Sequence, residues 1–261
     1  METVMSKDGT TIAYERAGSG SPLVLVHGTS ASHTRWTPIL PVLAAAFTVY
    51  AVDRRGRGES GDADCYAFER EFEDIAAVID SIGEPVDLLG HSYGAICALE
   101  AALLTANIRR LVLYEPPIPV SGRLAEGGET AERLEGTLEA GDREGVVTAF
   151  MREYVGMPED VFATFRETPA WPARVAAAHT LPREVRAQQL YRLDSHRFTE
   201  MTTPTMLLLG GASPQSFKDA VEVVNTALPD SRIVELAGQH HNAMDTAPEL
   251  FVEEVLAFLH D

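Results

Sequence analysis

The feature that most constrains the fold of this chain is a regular alternation of short, continuous apolar segments with longer segments of helical pattern. Six apolar segments are predicted as strands: Pro22–Val26, Thr48–Val52, Val86–Leu89, Ile108–Tyr114, Thr205–Leu209 and Arg232–Leu236. Four other segments are predicted as helices: Glu69–Ile82, Tyr93–Thr105, Ser216–Leu228 and Glu249–Leu259. Strands without polar alternation are typical of a parallel sheet buried on both faces. The order of these segments therefore predicts an α/β fold with a mostly parallel, doubly wound sheet.

The segment from residue 116 to residue 203 interrupts this alternation, because it has no convincing strand pattern. Three helices are predicted within it: Ala131–Ala140, Glu144–Tyr154 and Leu181–Tyr191. We therefore predict a helical cap over residues 116–203, inserted into a core domain formed by residues 1–115 and 204–261. Such a cap would cover the carboxyl ends of the strands, where open α/β sheets bind their ligands.

The charge balance narrows the classes of partner. The chain has 261 residues, with 21 Lys and Arg against 39 Asp and Glu, so its formal net charge is −18. Such a surface repels phosphates, which argues against a nucleic-acid or anionic-membrane partner. The two cysteines, Cys65 and Cys97, are far apart, so a disulfide framework or a zinc cluster is not expected. Reduced thiols and the absence of a secretory signal pattern predict a cytoplasmic protein, and no oligomeric state is indicated.

The segment Gly90-His91-Ser92-Tyr93-Gly94 carries the clearest chemical signal, because it joins a predicted buried strand to a predicted helix. In a G-x-S-x-G turn the serine backbone is strained and its hydroxyl is lifted clear of the sheet. Only small residues fit two positions before and after the serine. The helix that begins at Tyr93 points its first N–H groups towards negative charge that develops on a substrate oxygen. We therefore interpret Ser92 as a nucleophile, with an incidental glycine-rich turn as the alternative.

Two other loops are expected at the same edge of the sheet. The first follows the strand Pro22–Val26 and reads His27-Gly28-Thr29-Ser30, which predicts an oxyanion hole formed by the N–H groups of Thr29 and Tyr93. The alternative is an ordinary βα turn. The second loop follows the last strand and contains His240 and His241. Either imidazole could serve as a general base for Ser92, and the spacing alone does not choose between them.

Taken together, these motifs resemble those of the α/β-hydrolase superfamily over nearly the whole chain: HGTS at 27–30, DRRGRGES at 53–60, GHSYG at 90–94 and GQHHNAMDTAPELF at 238–251. In that family the catalytic histidine commonly follows a Gly-x-Gly pair and stands seven residues before a proline that opens the last helix. His241 has that spacing from Pro248, so the resemblance implies that His241 is the base. The Asp53–Gly58 turn is read as structural.

The acid of the triad departs from the family's usual pattern. The resemblance places an Asp shortly after the strand Thr205–Leu209, but Ser213 stands there, and Asp219 lies too far into the next helix. Some family members carry the acid after the preceding strand instead. Glu115 ends that strand here, and a carboxylate there can orient the His241 imidazole. We therefore assign Glu115 as the acid, with a purely structural Glu115, Asp245 as the acid, or no acid at all, as alternatives.

The resemblance implies a serine hydrolase that cleaves an ester, lactone or thioester of a small molecule without a metal or organic cofactor. A C–C bond hydrolase, a cofactor-free perhydrolase, a natural-product cyclase or dehydratase, and a catalytically silent binding protein remain as alternatives. Gly28, Trp36 and His179 are expected to line the substrate pocket, although Trp36 and His179 could instead serve only in packing.

Overall fold

The computed structural model describes residues 1–120 and 129–260 of the chain. Its centre is an eight-stranded sheet with the strand order β1-β2-β4-β3-β5-β6-β7-β8. The strands are β1 Glu2–Met5, β2 Thr11–Gly18, β3 Ser21–Val26, β4 Phe47–Val52, β5 Val86–His91, β6 Ile108–Tyr114, β7 Thr205–Gly210 and β8 Ser231–Leu236. Strands β1 and β2 are antiparallel to their neighbours, and every other pair is parallel. The predicted α/β class with a mostly parallel sheet is thus confirmed.

Helices cover both faces of this sheet, as a parallel sheet requires. The helices outside the β6–β7 connection are a 3₁₀ turn His33–Trp36, α1 Leu40–Ala44, α2 Phe68–Ile82, α3 Tyr93–Ala101, α9 Gln215–Ala227, α10 Ala243–Thr246 and α11 Pro248–His260. One face carries α2, α3 and α9, with Ile75, Ile96 and Val221 in the core beneath them. The opposite face carries α1 and α11, with Leu43 and Phe251 in a second core cluster. This sandwich holds the carboxyl ends of the parallel strands along one edge.

The described residues between β6 and β7 form only helices as regular elements. These inserted helices are α4 Thr130–Glu139, α5 Arg143–Ala149, a π-helical turn Phe150–Tyr154, α6 Glu159–Arg166, α7 Trp171–Ala176, α8 Thr180–Leu190 and a 3₁₀ turn Ser195–Phe198. They have their own apolar cluster, which includes Leu134, Phe150 and Trp171. The cap boundaries 116–203 stay a prediction, and residues 121–128 within them lie outside the described part of the chain.

A cluster of buried charge joins the inserted helices and the loop after β4 to the sheet domain. Arg54 bonds the Glu71 carboxylate of α2 through Nε and Nη2, at 3.0 and 2.8 Å. Glu184 of α8 lies between Arg54, 3.1 Å away, and Arg57, in closer contact. All four side chains are almost fully buried, and their charges balance. The Asp53–Gly58 turn therefore anchors an inserted helix, in keeping with the structural role read from its sequence.

No helix in the described ranges is long and apolar enough to cross a membrane.

Candidate active site

The turn between β5 and α3 has the strained geometry expected of a nucleophile elbow. Ser92 has φ 56° and ψ −127°, a positive-φ backbone that residues with a Cβ rarely adopt. A Cβ on Gly90 would lie 2.5 Å from the Gly94 carbonyl oxygen, and one on Gly94 would lie 2.4 Å from the carbonyl oxygens of Val26 and His27. Both glycines are therefore required by close backbone packing, and Ser92 is held at the edge of the sheet.

Glu115 and His241 face each other at that edge. Glu115 directly follows β6, is fully buried and also has a positive φ, of 45°. Its Oε2 lies 2.5 Å from Nδ1 of His241, and its Oε1 accepts a 2.7 Å hydrogen bond from the N–H of Gly210. A carboxylate acceptor requires the proton on Nδ1, which leaves Nε2 of His241 as the basic nitrogen. The structure thus provides an oriented imidazole beside a fixed carboxylate.

The backbone of the His241 loop is held by two side chains that the sequence analysis did not single out. The Tyr114 hydroxyl donates to the carbonyl of His240 and accepts a 3.1 Å bond from the N–H of Ala243. Nε2 of His91 donates to the His241 carbonyl over 2.9 Å. Burial, and then the nearby His241, keep the pKa of His91 well below its ordinary value, so this ring is neutral. One indication of these two residues is present in the sequence, which is their position: His91 directly precedes Ser92, and Tyr114 directly precedes Glu115.

His240 and His241 occupy different environments. His240 is exposed, whereas the half-buried His241 ring packs against the ring of Phe217, with centroids 4.5 Å apart, and against His91, with centroids 4.7 Å apart. His91 is the neighbour of Ser92 in sequence, so His241 lies beside the elbow. In the described part of the chain, no hydrogen bond joins the Ser92 hydroxyl to His241, a bond that often tightens only when substrate is bound.

The loop after β3 lies directly against Ser92. A Cβ on Gly28 would be 2.9 Å from Cβ and 3.4 Å from Oγ of Ser92, so the backbones of the two loops are in contact. Thr29 follows Gly28, and Ser30 after it has a φ of 58°. Because α3 begins at Tyr93, the first N–H groups of that helix have no acceptor within it. The N–H groups of Thr29 and Tyr93 thus belong to two loops that meet at Ser92, although their role as an oxyanion hole remains a prediction.

The alternative acids have other partners. Asp245 is exposed and its Oδ2 accepts a 2.7 Å hydrogen bond from Nη1 of Arg35. Asp219 lies within α9 and accepts a bond from Gln215. Ser213, at the family's usual acid position, is buried, and its hydroxyl has no partner among the described residues. Of the acids considered, Glu115 is the one in contact with His241.

Trp36 and His179, the two large side chains predicted to line the substrate pocket, lie in different environments. Trp36 is fully buried in the core cluster under α1 and α11, with its ring centroid 6.5 Å from that of His91, and this burial favours the packing alternative. His179 is partly exposed, where Nδ1 accepts a 3.0 Å bond from Arg143 and Nε2 faces Asp62 at 3.3 Å. The first contact joins two parts of the insertion, and the second ties the insertion to the loop after β4. A pocket role for Trp36 or His179 stays a prediction without support from these contacts.

In the two described ranges, no group of three or more His, Cys, Asp or Glu residues is arranged to hold a metal ion.

Comparison with known proteins gives a consistent result. The model of the α/β-hydrolase family matches residues 23–254. An α/β hydrolase from Sphaerobacter thermophilus DSM 20745, known from its crystal structure, is 39% identical with a TM-score of 0.82, over 96% of this chain and 100% of that one. The pimeloyl-(acyl-carrier protein) methyl ester esterase of Aeromonas hydrophila is 25% identical, over 95% of this chain and 99% of its own. The 2-(acetamidomethylene)succinate hydrolase of Mesorhizobium japonicum is 24% identical, over 95% and 91%.

Proposed function

Since this chain belongs to the α/β-hydrolase family, we propose that it hydrolyses an acyl bond of a small molecule through Ser92, His241 and Glu115. The observation that carries this proposal is the 2.5 Å contact between Oε2 of Glu115 and Nδ1 of His241, at the sheet edge where the elbow presents Ser92. Of the two curated relatives named above, one is an esterase and the other is a hydrolase of an acetamido compound. Both names describe hydrolysis, which is the class of reaction that we propose for this chain.

In the first half of the proposed reaction, Oγ of Ser92 attacks the carbonyl carbon of the substrate and its proton passes to Nε2 of His241. The N–H groups of Thr29 and Tyr93 stabilise the negative oxygen of the tetrahedral intermediate. The Glu115 carboxylate stabilises the imidazolium without taking its proton. His241 then protonates the leaving group, which departs and leaves an acyl group on Ser92.

In the second half, water takes the place of the leaving group. His241 accepts a proton from this water, whose oxygen attacks the acyl carbon. The second tetrahedral intermediate collapses, the proton returns to Oγ of Ser92, and a carboxylic acid is released. Each of these steps moves only protons and electron pairs. The cycle therefore consumes one water molecule for each acyl bond cleaved and requires no further reactant.

Esters, lactones and thioesters are the substrate classes that suit this cycle, and a small carboxylic ester is the simplest of them. The inserted helices support the view that the site is covered, since Arg174 of α7 bonds the hydroxyl of Ser30 at 2.7 Å, next to Thr29. A small-molecule substrate, a cytoplasmic location and a cap that closes over Ser92 are part of this proposal.

A hydrolysis screen tests it. Purified protein is incubated with p-nitrophenyl esters of graded chain length, with lactones and with acyl thioesters, and Ser92→Ala is compared with Ser81→Ala, a serine change in α2 away from the site. We expect hydrolysis of at least one substrate, a loss of roughly 1,000-fold or more in Ser92→Ala, and no change in Ser81→Ala. Full activity in Ser92→Ala would contradict the serine mechanism, and products formed without uptake of water would favour a cyclase or dehydratase.

A further inference from the structure

A cavity of about 330 Å³ lies between the inserted helices and two loops of the sheet domain. Its walls come from the loop after β3, from α7 of the inserted helices and from the segment after His241, contributing among others Ser30, Arg35, Arg174 and Asp245. Ser30 is one residue beyond Thr29, and Asp245 is four residues beyond His241. The cavity therefore lies between the two loops that carry the proposed oxyanion donor and the proposed base.

The charges in the wall of this cavity do not balance. Its lining residues include three guanidinium groups, Arg35, Arg57 and Arg174, and one carboxylate, Asp245. Arg35 is paired with Asp245 at 2.7 Å, and Arg57 is paired with the buried Glu184 behind the wall. No carboxylate of the described residues lies within 4.0 Å of Arg174. The one carboxylate in the wall, Asp245, is thus shared between Arg35 and, at longer range, Arg174, so the wall carries an excess of positive charge in a protein whose formal net charge is −18.

The contacts of Arg174 hold its guanidinium in place and leave part of it unused. Its Nη1 donates to the carbonyl and hydroxyl oxygens of Ser30, and its guanidinium carbon lies 4.6 Å from the centroid of the Phe165 ring. Its Nε is buried and has no hydrogen-bond acceptor among the described residues. Because both hydrogen bonds use Nη1, Nη2 remains without an acceptor among the described residues and can donate a charge-assisted hydrogen bond to a carboxylate. Nε of Arg35 is likewise buried without an acceptor in the described ranges.

The environment of Arg174 disfavours its charge in the absence of an anion. Burial, and then the charge of Arg35, lower the pKa of Arg174 to about 10 against the opposing charge of Asp245, so the group still carries its proton at neutral pH. A buried cation that lacks a counter-ion destabilises a folded protein. Such an arrangement persists in functional sites where a ligand supplies the missing charge.

We propose that this cavity binds a carboxylate group of the substrate, with Arg174 as the principal donor and Arg35 as the second. The inference rests on the proposed function, because a carboxylate held here is part of a substrate only if Ser92 attacks a carbonyl of the same molecule. It narrows the substrate class to acyl compounds that carry a second, anionic group a few bonds from the scissile carbonyl. The cavity beside Thr29 then selects the substrate, and Ser92 cleaves it.

Matched pairs of esters test the proposal. The monoethyl esters of succinic, glutaric and adipic acid are compared, in a pH-stat, with neutral ethyl esters in which an isopropyl group replaces the carboxylate, such as ethyl 4-methylpentanoate. A hydrogen bond between the Arg174 guanidinium and the ester carboxylate should strengthen binding of the acidic esters. We therefore expect kcat/KM to be at least about tenfold higher for one of them than for its neutral partner. Equal values, or a preference for the neutral esters at every chain length, would overturn the proposal.

Variants of Arg174 separate recognition from packing. In Arg174→Gln we expect kcat/KM for the preferred acidic ester to fall by roughly 10- to 100-fold, while the value for the neutral ester changes by less than about threefold. In Arg174→Lys, kcat/KM for the acidic ester should lie between the values for the parent and for Arg174→Gln, since lysine keeps the charge but loses the fork geometry. Arg133→Gln, an exposed charge change in α4, is the matched control and should resemble the parent. An equal loss on both esters in Arg174→Gln would show a structural role only and overturn the proposal.

A binding measurement keeps this test independent of catalysis. If Ser92 proves not to be a nucleophile and no ester is hydrolysed, the proposed function fails, but glutarate should still raise the melting temperature of the parent protein at millimolar concentration. Arg174→Gln should lose that shift and Arg133→Gln should keep it. If Arg174→Gln does not fold, the ester preference and the glutarate shift of the parent protein decide. Hydrolysis of neutral esters by Ser92, with neither preference nor shift, would contradict this inference while supporting the proposed function.

Discussion

Glu115 and His241 are 126 positions apart in the chain, yet Oε2 of the carboxylate lies 2.5 Å from Nδ1 of the imidazole. The other carboxylate oxygen is fixed by the N–H of Gly210 at 2.7 Å, so Glu115 cannot turn away without the loss of a buried hydrogen bond. An imidazole held this way has one tautomer and one orientation, which is what a general base for Ser92 requires.

Removal of the Glu115 charge should therefore impair catalysis far more than folding. In Glu115→Gln we expect kcat to fall by roughly 100- to 10,000-fold, because the imidazolium formed during the reaction loses its counter-charge and its fixed tautomer. Glu84→Gln, in an exposed turn, is the control for the loss of one charge. Steady-state kinetics on any substrate found in the screen measure the effect. Activity of Glu115→Ala within a few-fold of the parent would contradict the assignment.

Ser213 offers a second test of the same geometry. A Cβ on Gly210 would lie 2.6 Å from the Ser213 hydroxyl and 2.7 Å from the Gln239 carbonyl, so Ser213 is close to the loop that carries His241. Its hydroxyl is buried without a partner among the described residues. We therefore expect an aspartate at position 213 to approach His241 from β7 in place of β6.

We expect Ser213→Asp to recover at least about tenfold of the kcat lost in Glu115→Gln, since a new carboxylate can again orient His241. Gln215→Asp, an exposed substitution two residues away, should recover nothing. Kinetics of the two double variants, with circular dichroism to confirm folding, make the comparison. A lack of recovery in a folded Glu115→Gln, Ser213→Asp protein would show that the β7 position does not reach the imidazole.

The elbow glycines should be intolerant of a methyl group. A Cβ on Gly94 would approach the carbonyl oxygens of Val26 and His27 to 2.4 Å, and these are backbone atoms of the central sheet and of the loop beside Ser92. We expect Gly94→Ala to lower the free energy of unfolding by about 1–3 kcal/mol and to reduce activity as well.

The matched control for Gly94 is Gly136, which lies within α4, where an added methyl group would meet no atom within 4 Å beyond its own helix. Gly136→Ala should raise the free energy of unfolding by about 0.5–1 kcal/mol, since alanine loses less backbone entropy in a helix. Urea titrations of both variants measure the difference. Equal stability of the two would mean that the elbow can relax around the added carbon.

The buried ion cluster makes a prediction about stability. In Glu184→Gln, Arg57 loses its buried counter-ion and Arg54 keeps only Glu71, so we expect a loss of about 3–5 kcal/mol in the free energy of unfolding. Glu135→Gln, which removes an exposed partner of Arg186, should cost less than about 1 kcal/mol. Urea unfolding at neutral pH makes the comparison, and similar costs for the two would contradict the importance of burial.

The effect of Glu184 should also depend on pH. Burial alone would raise the pKa of Glu184, but the charges of Arg54 and Arg57 outweigh it and hold the pKa below its ordinary value. A carboxyl group with a lowered pKa in the folded state stabilises the protein above the unfolded-state pKa, about 4.3, and loses that contribution as the pH falls further. The stability difference between the parent and Glu184→Gln should therefore shrink below about pH 4.

Much of this fold follows from local patterns in the sequence. The continuous apolar segments became the parallel strands, to within two residues at each end, because burial on both faces leaves no room for polar alternation. The strand Glu2–Met5 gave no comparable signal, since it is four residues long and mostly exposed at the edge of the sheet. Trp171–Ala176 is a helix of only six residues within the insertion, too short to show a helical period.

The candidate site could also be predicted only in part from the sequence. A nucleophilic Ser92 between Gly90 and Gly94 could be predicted because the elbow is a local turn with strict steric needs. The role that we propose for Arg174 could not be predicted from the sequence. It depends on a contact with Ser30, 144 residues away in the chain, and on the absence of a described carboxylate within 4.0 Å. Such a relationship depends on how the inserted helices pack, and no period or spacing in the sequence reports it.

Covalent labelling tests most directly whether Ser92 is an activated nucleophile. The parent protein is treated with a fluorophosphonate, its intact mass is measured, and the modified residue is located by peptide mapping. We expect one adduct, on Ser92, formed slowly in Glu115→Gln and absent from Ser92→Ala. A folded parent protein that gains no adduct, or gains it at another residue, would contradict a nucleophilic role for Ser92.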